Sequence, residues 1–275
     1  MYNYSAHEWL AFFAIYCFFG WIFESIYVSI EYRKPVNRGF LYGPAIPIYG
    51  FGSVVILFFT APFKTNVLLT FISGMLAATL LEYVTGYVME KMFGVRYWDY
   101  TYEPLNLNGY ICLGCSLMWG MFSIIVTNYI HKPVDKFVKG FNSTELWLFD
   151  LIFLVFFCMD VYASARAAFD LKKMFKDYVE NNETVIRMQK RLDVLLAFAE
   201  DDYNHFQSMM EEKKKEHEEE KNRLKAKLEE FRNKYYDNKE KANKRVMYAM
   251  RRNPGMSSRN NRFELDSLKN IFMKK

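Results

Sequence analysis

Three carboxylates stand where a carboxylate is expensive. Glu24, Glu82 and Asp160 each lie inside a long apolar stretch. A charge at that depth costs roughly 2.5–3.5 kcal/mol against lipid on insertion scales. Such a group must face the interior of a helix bundle, pair with a cation or hold a proton. That chemistry suits an ion or substrate pathway, and equally a polar network that knits helices together.

A second set of polar residues gathers at the ends of the stretches. The first connection reads Asn37-Arg38-Gly39-Phe40-Leu41-Tyr42-Gly43-Pro44. Gly43 before Pro44, with Pro47 beyond, predicts a broken helix entry whose N–H groups suit an anion, with Arg38 adding charge. The plainer alternative is that Gly-Pro simply begins the second helix. The third connection holds Arg96-Tyr97-Trp98-Asp99-Tyr100 and Asn106-Leu107-Asn108-Gly109-Tyr110. It reads as a lid over the carboxylates or as a simple polar loop. The candidate contacts are Asn37, Arg38, Tyr42, Gly43, Arg96, Trp98, Asp99, Asn106 and Asn108. Cys112-Leu-Gly-Cys115 has redox or metal spacing, but a lone pair in an apolar helix start favours packing. His7, His131, His205 and His217 are scattered, and no metal or cofactor is expected.

The elements that must position these groups are helices in a bilayer. His7–Ile30, Tyr42–Ala61, Asn66–Met89, Cys112–Ile130 and Leu146–Ala168 each approach the ~20 apolar residues that span ~30 Å of hydrocarbon. Trp9, Trp98, Tyr100, Tyr129 and Trp147 at or beyond their ends suit an interfacial belt. The fold class is therefore all-α: a polytopic membrane protein with about five transmembrane helices, then a cytoplasmic helical or coiled-coil tail. The first stretch follows no basic residue and is too long for a cleaved signal, so it reads as a signal anchor.

Basic residues set the expected orientation. Arg33, Lys34 and Arg38, then Lys91 and Arg96, then Lys172, Lys173 and Lys176 put the N-terminus outside and the tail in the cytoplasm. Lys132, Lys136 and Lys139 in the fourth connection dissent. The net charge of +5 belongs to the tail, because residues 1–168 are close to neutral. A basic tail beside a membrane suits its anionic inner face. On this topology Glu24 and Glu82, six and seven residues from their span ends, sit roughly 10 Å below the cytoplasmic face. Asp160 lies at a similar depth.

Spans one and two resemble spans three and four. With Gly39 set on Gly109, Tyr49-Gly50 meets Trp119-Gly120 and Ser53 meets Ser123, while Glu24 upstream corresponds to Glu82. Chance similarity between apolar helices is the competing account. A true repeat over 7–61 and 66–130 would relate the units by an axis along the membrane normal. The membrane part closes at residue 168 with the fifth helix.

Residues 169–252 are charged and helical. Leu171, Met174, Phe175 and Tyr178 form one stripe, and Met188, Leu192, Leu195 and Ala199 continue it at heptad-like spacing. An antiparallel hairpin and a dimeric coiled coil both fit, with Asn181-Asn182 and Tyr236-Asp237-Asn238 as candidate breaks. Asn253-Pro254-Gly255 ends the helix. Residues 253–275 read as a flexible C-terminus, Ser257–Arg262 above all, with a short amphipathic segment from Phe263 to Phe272. Arg251, Arg252, Arg259 and Arg262 lack the setting of a nucleic-acid site.

The ordered motifs Gly-Trp-Ile-Phe-Glu at 20–24, Asn-Arg-Gly-Phe-Leu-Tyr-Gly-Pro at 37–44, Pro-Ile-Tyr-Gly-Phe-Gly at 47–52, Leu-Glu-Tyr at 81–83, Trp-Asp-Tyr at 98–100 and Asn-Leu-Asn-Gly-Tyr-Ile-Cys-Leu at 106–113 resemble the CmpB-like ABC-transporter permeases (type IV), found mainly in the cell membrane of Gram-positive bacteria. The resemblance covers about residues 8–130 and not the tail. It implies transport, without defining substrate residues.

No P-loop, nucleophile elbow or His-Glu-x-x-His is present, so an enzyme is not expected. Two readings remain. One is an integral membrane subunit of a transporter, with a polar intramembrane site near the cytoplasmic face and a separate ATPase partner. The alternative is a membrane-anchored scaffold or sensor acting through its tail, which captures a partner or forms a homodimer.

Overall fold

The computed structural model describes residues 3–201, 219, 222, 223, 226, 244–259, 265, 266 and 269. They are helical apart from turns and two isolated backbone pairings, Arg96 with Ser257 and Leu107 with Ile111. The chain divides into two units: Met1–Lys172 with Tyr248–Arg262, and Lys173–Met247 with Phe263–Lys275.

Helix α1 spans Ala6–Glu31. Ser5 and Glu8 cap it reciprocally, the Ser5 hydroxyl accepting from the Glu8 N–H and the Glu8 carboxylate from the Ser5 N–H. Helix α2 is shorter, Pro47–Thr60, with a tight turn at Ala61–Phe63. The span expected from Tyr42 therefore begins five residues late. The cause is Pro47: it fits a first turn, where no N–H is needed, but forces Ile46 into extended backbone (φ −118°, ψ 103°). Helix α3 spans Val67–Phe93, capped by the Asn66 side chain. Helix α4 spans Leu113–Ile125 and is capped by the Cys112 sulfur, which accepts from the Cys115 N–H at 3.3 Å. The Cys-x-x-Cys spacing is thus occupied in starting a helix.

After α4 a wide turn at Val126–Ile130 leads directly into α5, His131–Val138. Pro133 lacks an N–H and crowds the carbonyl four residues back, which loosens the ladder without ending the helix. The fourth apolar helix consequently runs Leu113–Val138. Lys132 and Lys136, expected in a connection, lie on that helix. Helix α6, Ser143–Asp201, opens on a second reciprocal cap between Asn142 and Glu145 and contains the stretch expected as the fifth span. It passes through Asn181-Asn182 without a break. Helix α7 covers Lys244–Arg252 and stops before Pro254. The seam positions from Met188 onward fall outside the described side chains.

Among the described residues four helices are long and apolar enough to cross a membrane, and Pro47–Phe63 is a shorter apolar helix. Within the first unit α1 packs on α2, α2 on α3, α3 on α4 and α1 on α5. Phe19, Phe23, Ile26, Leu76, Leu80, Met118, Phe156 and other large apolar side chains point outward, as lipid requires. At one end of the bundle Ala11, Phe12, Tyr16, Leu57, Val126, Val134, Val138 and Leu146 form a dry cluster. His131 sits there, bonded to the Tyr4 and Tyr16 hydroxyls at 2.9 and 3.0 Å. His7 pairs with Asp150 at 2.7 Å. The opposite end carries the α1–α2 and α3–α4 connections, where the polar residues collect.

Candidate functional site

Glu24 is held on two sides. The Tyr49 hydroxyl, one turn into α2, donates to Glu24 Oε1 at 2.6 Å. Arg38 Nε lies 3.6 Å from Glu24 Oε2. Gly20 makes this approach possible, because a Cβ there would collide with the Tyr49 side chain.

Glu82 is more deeply set, only 5% exposed. Trp119 Nε1 on α4 donates to Oε2 at 2.9 Å, and the Tyr100 hydroxyl donates to Oε1 at 3.2 Å. The Tyr49 and Trp119 rings are neighbours, centroids 6.1 Å apart. The two acids thus belong to one run: Glu24, Tyr49, Trp119, Glu82, Tyr100.

The packing around the run is matched. A Cβ on Gly50 would strike the Phe13 ring at 2.7 Å, and one on Gly120 would strike the Phe71 ring at 2.5 Å. Phe13 and Phe71 precede Glu24 and Glu82 by the same eleven positions. Gly39 and Gly109 both hold positive φ, 123° and 73°, a region open to glycine at no steric cost. The residues just before them reach back to the helix that carries the acid. Arg38 N–H donates to Ser25 Oγ at 3.2 Å, and Asn108 Nδ2 donates to the Tyr83 hydroxyl at 3.0 Å.

Asp160 serves the first connection. It accepts the N–H groups of Tyr42 and Gly43 at 2.7 and 2.6 Å, and the Ser164 hydroxyl at 3.0 Å. The acceptor at the Gly43-Pro44 entry is therefore a side chain of α6. Asn37 completes this connection: its Oδ1 accepts from Trp21 Nε1 at 2.6 Å, and its Nδ2 donates to the Tyr42 carbonyl at 3.1 Å.

The third connection has its own hub. Arg96, 3% exposed, donates through Nε to Glu90 at 2.8 Å and through Nη1 to Asp99 and Thr101, each at 3.2 Å. Burial opposes the Arg96 charge, but Glu90 and Asp99 outweigh it and raise the guanidinium's pKa. Burial also works against the Asp99 carboxylate. Ser257, Thr101 and Arg96 prevail and hold it below its ordinary value. Asn106 Nδ2 bonds the Thr101 and Glu103 carbonyls and its Oδ1 takes the Gly109 N–H. Trp98 Nε1 donates to the Tyr110 carbonyl at 3.0 Å. A cleft of about 350 Å³ opens here, lined by Arg96, Asp99, Asn106 and Asn108 among others.

One participant comes from far along the chain. The segment from Tyr248 to Ser258 lies across both connections. The Tyr248 ring stacks on Tyr42, centroids 5.2 Å apart and 3° from parallel. Arg252, 3% exposed, covers both rings at 5.4 Å and donates to the Asn37 carbonyl. Arg38 donates to Asn253 Oδ1 at 2.9 Å and to the Tyr97 carbonyl at 3.2 Å. Asn253 Nδ2 donates to the Gly39 carbonyl. Ser257 exchanges two backbone bonds with Arg96, and its hydroxyl donates to Asp99 at 2.6 Å. Ser257 and Ser258, at the head of the run expected to be flexible, are buried.

An all-helical chain with several apolar spans and acids paired inside the bundle defines a polytopic membrane protein. Residues 11–165 match the family described as "Putative ABC-transporter type IV", and the chain belongs to that family, a transport-related group of membrane components. No curated protein and no solved structure matches the chain.

Proposed function

We propose that this protein is the integral membrane subunit of a transporter, with a polar site near the cytoplasmic face and a separate ATPase as its energy source. The observation that carries the reading is the run from Glu24 to Glu82. Two helix pairs each bring an acid onto an aromatic donor, and the donors meet ring to ring. Buried acids inside a membrane bundle mark pathways by default, and membership of a transport family supports that use. The matched environments of Glu24 and Glu82 support a tandem repeat of two helices, with the site at its axis.

The test is isolation of the full-length protein in mild detergent and identification of what copurifies. A nucleotide-binding subunit whose ATP hydrolysis rises with the membrane protein present supports the reading. Substrate uptake into native membrane vesicles unaltered in a correctly inserted Glu24→Gln/Glu82→Gln protein overturns it.

The scaffold reading draws on a different observation, the docking of Tyr248–Ser258 on both connections. On that reading the tail transmits partner binding to the loops. Capture of a cytosolic regulator by the tail, with no ATPase recovered, favours it.

A further inference from the structure

We infer that Glu82 is a proton-binding site. This rests on the transport reading for its purpose but not for its test. Glu82 and its counterpart Glu24 occupy matched positions, but Glu82 is the more buried and the two differ in their charged neighbours. Glu24 has a guanidinium beside it, Arg38 at 3.6 Å. Glu82 meets only the neutral donors Trp119 and Tyr100 among the described residues. The position equivalent to Arg38 is Asn108, which bonds Tyr83. A buried carboxylate without a cation carries the full cost of desolvation, and a proton removes that cost.

The groups facing Glu82 come from three elements. Helix α4 contributes Trp119 and Cys115, the third connection Tyr100, and α2 the Tyr49 hydroxyl, itself bonded to Glu24. The charge of Arg38 lies beyond Tyr49, on the Glu24 side.

The donors decide which oxygen takes the proton. An indole N–H can only donate, so Oε2 stays an acceptor and is the carbonyl oxygen of the acid. A phenol can donate or accept. The proton therefore binds Oε1, and the new O–H donates to the Tyr100 oxygen as that hydroxyl turns away. One O–H bond forms and one proton leaves the solvent; nothing is oxidised or reduced. Tyr100 is half-buried and Thr101 to Leu105 beside it are exposed, which gives the proton a path to water. A metal cation is the poorer occupant, because it needs several oxygen ligands and the indole N–H offers none.

The experiment is pH-dependent infrared difference spectroscopy on the purified full-length protein in lipid. The expected result is a carboxylic-acid C=O band that downshifts in D₂O, persists in Glu24→Gln and is lost in Glu82→Gln. In Trp119→Phe the band remains but moves to higher wavenumber, since the carbonyl loses its bond. A band that survives Glu82→Gln, or vanishes in Glu24→Gln, overturns the assignment. So does a band removed by sodium at constant pH. Failure here leaves ATPase copurification untouched, and the absence of an ATPase leaves the band untouched.

Discussion

Tyr49 and Trp119 lie with ring centres 6.1 Å apart, and each carries a glutamate on its polar tip. The rings are apolar spacers between two acids that would repel if both were charged and adjacent. Glu24 has additional help from Arg38, whereas Glu82 does not. The two aromatic donors should therefore differ in importance. Tyr49→Phe removes one hydrogen bond from a carboxylate that keeps its ion pair. Trp119→Phe removes one from a carboxyl with a single remaining partner. Leaving a buried donor or acceptor without its partner costs about 1–3 kcal/mol. Trp119→Phe is expected to cost more stability than Tyr49→Phe, as measured by thermal unfolding in detergent.

Arg38 joins Glu24, the Tyr97 carbonyl and Asn253. Arg38→Gln should destabilise the protein, partly by leaving Glu24 without its cation. Glu24→Gln should then recover part of that loss, giving a coupling of about 0.5–1.5 kcal/mol in a double-mutant cycle. Zero coupling would show that Arg38 acts through the loops alone.

Gly50 and Gly120 let α2 and α4 close on the rings of Phe13 and Phe71. An added methyl has no room at either place. Gly50→Ala and Gly120→Ala should each cost about 1–3 kcal/mol by overpacking and push the aromatic donors off their acids. Partial relief by Phe13→Leu and Phe71→Leu respectively, read from melting temperatures, checks the mechanism.

Asp99 ties the third connection to Ser257. Its pKa is held down in the folded protein. A depressed acid contributes stability that is fully present above its unfolded value, ~3.9, and that is lost as pH falls through the folded value. Acidification should therefore loosen the Tyr248–Ser258 segment. Protection against hydrogen exchange at Ser257 and Arg96, which share two backbone bonds, should fall at low pH relative to the intrinsic exchange rate. Ser257→Ala should raise exchange at neutral pH and flatten the dependence.

Much of the architecture was legible because apolar length is a local property. Helices α1, α3 and α6 begin within about three residues of the expected starts at His7, Asn66 and Leu146, each with a polar side chain capping an apolar run. The apolar spans were also readable. The late start of α2 depended on how Pro47 acts on Ile46. The extension of the fourth helix to Val138 was hidden, since charge at Lys132 and Lys136 reads as a loop until the helix is seen to continue. Asp160 looked like a third member of a chamber of acids, yet it bonds the backbone of Tyr42 and Gly43. A backbone N–H has no sequence signature, so this pairing was invisible.

Composition over short stretches is enough to read a helical membrane chain, and it raises the expectation that Glu24 and Glu82 need shielding, because hydrophobicity and insertion cost are local quantities. The partners these acids find belong to the folded bundle: an indole and a phenol from neighbouring helices, and a segment more than 200 residues away that grips Arg38. Those partners meet through packing between elements, and packing depends on the geometry of the whole bundle rather than on any one stretch of residues.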